Sequence, residues 1–138
     1  MAFLLDTNTL SEILNKRPNK GVTDWFARTD ESSQYISAFT VGEIQKGISK
    51  LTASRRKDEL QDWFERVQNR YETRILPFTV ESARVWGRLI ADMERRGQPL
   101  PVIDSLIAAT AIEHDLTVVT RNSEDFEPAN VKVLNVWK

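Results

Sequence analysis

Cysteine is absent from this chain. Disulfides, thiolate nucleophiles and cysteine-based zinc sites are excluded together, and the composition suits a reducing cytoplasm, the expected location. Histidine occurs once, as His114 in Glu113-His114-Asp115. A solvated or helix-end role accounts for it, and a Ser-His-Asp triad would have no other base. Glycine is sparse, with five dispersed residues, and none follows a strand in a phosphate-cradling GxGxxG or GxxxxGK[ST] pattern. No apolar run approaches the roughly 20 residues that span a membrane. Met1 to Asp6 is too short an apolar run for a signal peptide and has no basic n-region. Neither charge sign dominates: 19 Lys and Arg face 20 Asp and Glu, for a net charge of −1. A nucleic-acid binder relying on charge alone shows a basic excess, so what remains open is an enzyme with a local basic rim.

What is present is enough for a globular core. The chain has 138 residues, 41% of them hydrophobic, which fits one domain spanning residues 1–138. Phe3-Leu4-Leu5 reads as a short buried strand ending at Asp6. Thr9 resembles an N-cap for a helix from Leu10 to Lys16, stopped by Pro18. Val22 to Arg28 is a second helix, Tyr35 to Ala38 a strand, and Val41 to about Leu51 a third helix. In Ser54 to Tyr71, the residues Leu60, Trp63, Phe64, Val67 and Tyr71 recur at helical spacing. Arg74 to Leu76 is a strand, and Thr79 caps a helix from Val80 to Arg96 that ends at Gly97. Ile103 to His114 is apolar nearly all round, as a central buried helix is. Thr117 to Thr120 and Val131 to Leu134 complete the strands. Strands alternating with helices imply an α/β fold with a mostly parallel sheet covered on both faces. Sites in such sheets form beyond the carboxyl ends of the strands.

Three acids sit where apolar segments ought to hide them: Asp6 after Leu4-Leu5, Glu43 in Thr40-Val41-Gly42-Glu43-Ile44, and Asp104 in Val102-Ile103-Asp104-Ser105-Leu106. Each has a plain structural reading. Asp6 can bond the backbone of its turn, Glu43 can close a capping box begun by Thr40, and Asp104 can sit on a helix dipole. An isolated buried carboxylate is nonetheless costly unless it pairs or binds a cation. The three together form an oxygen-only donor set, which suits Mg²⁺ or Mn²⁺ and phosphodiester hydrolysis. A phosphoaspartate phosphatase would want a second acid at position 8, which is Asn8.

These residues resemble the PIN-domain nucleases, in particular the VapC and FitB type of bacterial toxin. The likeness runs through Leu4-Leu5-Asp6-Thr7-Asn8, Thr40 to Gly47, Pro101 to Ala111 and Leu116 to Phe126, in family order along nearly the whole chain. It implies a PIN-like three-layer α/β/α sandwich and a Mg²⁺- or Mn²⁺-dependent endoribonuclease from a type II toxin-antitoxin pair. Asp6, Glu43 and Asp104 fall on the family's acidic triad, which is catalytic and binds metal. Thr7, Asn8 and Thr120 fall where members place polar supports. Asn122 occupies the fourth position, often Asp, and contributes no negative charge there; Asp125 is an offset substitute. Arg121 and Lys46 are candidates to meet RNA phosphates, each equally readable as a solvated surface charge.

The resemblance also implies a cognate antitoxin, an RNA substrate and a homodimer or hetero-oligomer with the antitoxin. The Trp63-Phe64 pair on a charged helix reads either as core packing or as part of a groove for a partner helix. Two other functions compete. A catalytically weak PIN module that regulates by binding RNA or protein is favoured by Asn122. A small phosphohydrolase on a similar sheet would turn over a phosphate monoester and leave RNA intact.

Overall fold

A computed structural model describes residues 1–138. The elements are β1 (Phe3–Leu5), α1 (Thr7–Glu12), α2 (Lys20–Arg28), β2 (Gln34–Ser37), α3 (Ala38–Ser49), α4 (Arg55–Arg70), β3 (Ile75–Leu76), α5 (Val80–Arg95), α6 (Val102–His114), β4 (Thr117–Val119) and β5 (Val133–Leu134). The five strands form one sheet in the order β3-β2-β1-β4-β5. All four pairings are parallel, so the sheet is wholly parallel where the sequence suggested mostly so.

Successive side chains of a strand point to opposite faces, and this alternation divides the core. Leu5, Ile36 and Val119 pack on one face with Leu10, Val22, Trp25, Ile44, Ile48 and Phe64 of α1 to α4. Leu4 and Val118 pack on the other with Leu89 and Met93 of α5, Ile107 and Ala108 of α6, and Phe126. The result is the three-layer α/β/α sandwich. No helix is long and apolar enough to cross a membrane.

Several element ends differ from the sequence reading. Helix α1 begins at Thr7, because the Asp6 side chain caps it by accepting from the Thr7 N–H. It stops at Glu12, where the chain tightens into turns closed by Leu14 N–H to Ser11 O and Asn15 N–H to Glu12 O. Helix α3 begins three residues early, because Ser37 rather than Thr40 is its cap: the Ser37 hydroxyl accepts from the Thr40 N–H at 3.1 Å. Glu43 therefore lies in the second turn of α3, and no Thr40–Glu43 capping box exists. Residues Ser123–Ala129 form a 3₁₀ helix that the sequence reading left out. Thr79 does cap α5, in a reciprocal pair with Ser82, and Gly97 takes the left-handed conformation (φ 66°) that ends that helix.

Candidate active site

Parallel strands deliver their carboxyl ends to one edge of the sheet. Asp6 leaves β1 in the middle of that edge, Ser37 and α3 leave β2 on one side, and Thr120 leaves β4 on the other. Asp6 is 6% exposed, and both of its oxygens are held. Oδ1 accepts the Thr7 N–H at 2.8 Å. Oδ2 accepts the Thr120 hydroxyl at 2.8 Å and the Asn8 amide at 3.4 Å. The turn-bonding reading of Asp6 is thus correct, and it does not remove the charge from the site.

The supports are themselves interlocked. Asn8 Nδ2 also donates to Thr120 Oγ1 at 3.3 Å, and that oxygen accepts the Asn122 N–H at 3.1 Å. Asn8 Oδ1 accepts the Arg121 N–H at 3.2 Å. Thr9 is fully buried and ties its hydroxyl to the Val119 carbonyl at 2.7 Å. On the β2 side, Thr7 Oγ1 donates to Glu43 Oε1 at 2.6 Å. It lies 3.4 Å from the buried Thr40 hydroxyl. Thr40 is a supporting residue that the sequence reading treated only as a cap. Its complete burial, which would reveal the role, has no counterpart in a single sequence.

Asp104 stands in the first turn of α6, half-buried. That helix has no side-chain cap; its start is pinned one residue on. The buried Ser105 hydroxyl accepts the Trp86 indole N–H at 3.0 Å and donates to the Val102 carbonyl at 2.6 Å. Burial, then the charges of Asp6, Asp125 and Glu43, push the Asp104 carboxyl up to about 6. Asp6 is raised too: burial outweighs its bonds to Thr120 and Thr7, with Glu43 and Asp125 adding repulsion. These are the signatures of like charges held together in a poorly solvated place.

Asp6 and Asp104 therefore both feel Glu43 and Asp125, and Asp125 lies in the first turn of the 3₁₀ helix. Asn122 sits at the start of that helix, exposed and without a side-chain capping bond. Lys46 and Arg121 are exposed beside the site, with no ion pair to its acids. His114 pairs with Glu113 at 3.5 Å at the far end of α6, away from the cluster.

No three Asp, Glu or His side chains are arranged as a ready-made metal cage. The donor chemistry still fits a hard divalent cation of the Mg²⁺ kind, which keeps several waters and takes one or two carboxylates. Asp6 and Asp104 are both raised, by burial first and by neighbouring acids second, and a bound cation would offset both causes.

The core-packing reading of the Trp63-Phe64 pair holds, since Trp63 also packs against the core cluster that contains Phe64. Phe64 is fully buried in the core. Trp63 is half-buried and lines a groove of about 300 Å³ with Thr7, Glu43, Gly47, Leu51 and Leu60. That groove opens directly on the acidic edge through Thr7 and Glu43.

The PIN domain family model matches residues 3–130. The chain is a PIN-domain protein. Among relatives, the toxin FitB of Neisseria gonorrhoeae is 36% identical over 136 residues, 98% of each chain. The VapC ribonuclease Y4jK of Sinorhizobium fredii is 32% identical over 137 residues, 99% of this chain and 98% of the other. The crystal structure of FitAcB from Neisseria gonorrhoeae superposes on this PIN domain with a TM-score of 0.93 at 35% identity, covering 98% of each chain.

Proposed function

We propose that this PIN-domain protein is a Mg²⁺- or Mn²⁺-dependent endoribonuclease and the toxin of a toxin-antitoxin pair. The observation that carries the reading is the convergence of Asp6 and Asp104 with Glu43 and Asp125, close enough for each charge to raise the first two carboxyls. Relatives named as a ribonuclease and a toxin support it.

Asp6 and Asp104 would hold the ion, and Glu43 would either join them or orient the attacking water. The ion, when bound, supplies the Lewis acidity that activates water and offsets charge on the phosphodiester oxygens. The rest is done by the chain. Thr120 and Asn8 fix Asp6 Oδ2, and Thr7 fixes Glu43, so the carboxylates cost little reorganisation when the substrate arrives. Asp125 restores the negative charge that Asn122 lacks, which favours a catalytic site over a purely binding one. Arg121, leaving β4, and Lys46, on α3, flank the acids from opposite sides and take substrate phosphates. An antitoxin segment lies in the Trp63 groove, whose mouth at Glu43 lets a basic side chain reach the cluster.

RNA cleavage in Mn²⁺ or Mg²⁺ tests the proposal. EDTA should stop it and fresh ion restore it. Asp104→Asn should lower the rate by at least about a hundredfold, equivalent to about 2.7 kcal/mol of transition-state stabilisation. Parent-like cleavage by that variant rejects the assignment.

A further inference from the structure

Between Glu43 and Asp58 the chain carries five cations, Lys46, Lys50, Arg55, Arg56 and Lys57, and no acid. The whole molecule is nearly neutral, so this local excess is not background. Lys57 has an internal role: its ammonium donates to the Leu51 carbonyl at 3.0 Å and the Ser49 carbonyl at 3.5 Å, closing the end of α3. The other four are exposed, and none forms an ion pair.

Their placement is ordered. Glu43 and Lys46 on α3 and Lys50 at its C-cap fall at i, i+3 and i+7 and share a face, while Ile44 and Ile48 turn to the core. At 1.5 Å per residue, Lys46 lies about 4.5 Å and Lys50 about 10.5 Å beyond Glu43 along the helix axis. A short turn then leads to Arg55 and Arg56, the first two residues of α4, which Ser54 caps. Asp58, Glu59 and Asp62 follow on α4 and mark its far end. Lys46 and Lys50 gain modestly from the C-terminus of α3, but Arg55 and Arg56 open α4, the end of a helix where a cation is disfavoured. A polyanion with evenly spaced charges is their complement.

We propose that Lys46, Lys50, Arg55 and Arg56 form a track for the phosphates of single-stranded RNA, along which the substrate leaves the acidic site over α3. A single file of cations matches one extended backbone; a duplex would place its second strand off the row. The proposal rests on the nuclease reading of the acidic site, and the two fail separately.

The test uses full-length protein carrying Asp104→Asn, which keeps RNA intact, and a labelled single-stranded RNA of mixed sequence in Mg²⁺ buffer. Lys50→Ala/Arg55→Ala/Arg56→Ala should weaken binding about tenfold or more at low salt. It should also make the dependence of log affinity on log salt shallower by about 0.7 for each phosphate no longer neutralised. Lys50→Arg/Arg55→Lys/Arg56→Lys should restore both, a rescue that a folding defect would not show. Unchanged affinity and salt slope overturn the track. So does unchanged RNA binding accompanied by abolished binding of polyglutamate, which would make the surface a site for acidic protein. If the unsubstituted enzyme cleaves no RNA in Mn²⁺ while the salt slope still depends on the track, the nuclease reading fails and the track stands.

Discussion

Asp104 is the acid whose ionisation the protein controls most visibly. Its carboxyl titrates at about 6 against an ordinary value of 3.8. Between those values the folded chain holds more protons than the unfolded one, so metal-free stability falls as pH rises through the window. Urea unfolding in EDTA at a series of pH values should show that slope, and Asp104→Asn should flatten it; an equally steep slope in the variant would refute the cause. At sub-saturating Mn²⁺, cleavage should likewise decline as pH falls, because protons compete with the ion for Asp104, whose carboxyl is raised by burial and neighbouring acids. Asp6 and Asp104 were legible as candidate site residues because a carboxylate among apolar neighbours costs more than a turn bond or a helix dipole returns. Thr40 was not readable, since a buried threonine and a capping threonine look the same in a sequence. Nor was the demand at Gly21, where a Cβ would stand 2.0 Å from the Val136 carbonyl oxygen. Gly21→Ala should cost about 1–3 kcal/mol by overpacking, measured by denaturant unfolding at neutral pH.

At the scale of elements, the pairing of α5 with α6 positions Asp104. Trp86→Phe keeps most of the ring's packing and removes the donor to Ser105. Net loss of such a bond is about 1 kcal/mol, a small change in unfolding free energy. The larger effect should be on kcat, with KM for RNA nearly unchanged, because the first turn of α6 loses its outside anchor. Parent-like kcat would show that the turn is held by the fold alone. Strands and long helices were legible because their periodicity is strong and their caps at Ser54 and Thr79 are conventional. The start of α1 was missed because Asp6, taken as a candidate site residue, is also its cap. The start of α3 was missed because Ser37 and Thr40 are both good caps, and only the strand register decides between them. The Ser123–Ala129 segment has no helical period, and Pro128 within it argues against a helix. Yet it delivers Asp125.

For the whole molecule, the acidic edge is a store of repulsion held in place by two cores, one on each face of the sheet. A cation that binds only the folded chain stabilises it by mass action. Mn²⁺ should therefore raise Tm in a concentration-dependent way, and the shift should vanish in Asp6→Asn. A Tm indifferent to Mn²⁺ in the parent would argue against ion capture at this edge. Layer order and sheet class followed from the alternation of strand and helix in the sequence. The strand order did not, because β1 and β4 are neighbours in space and not in sequence.

That last adjacency has a consequence for biosynthesis. The bond that completes Asp6 comes from Thr120, 114 residues downstream, and Asp125 is later still. A nascent chain still short of β4 presents Asp6 and Glu43 with half their setting missing. On the proposed nuclease reading, fragments left by stalled translation or early proteolysis lack a complete site, which closes only once β4 has emerged and inserted beside β1.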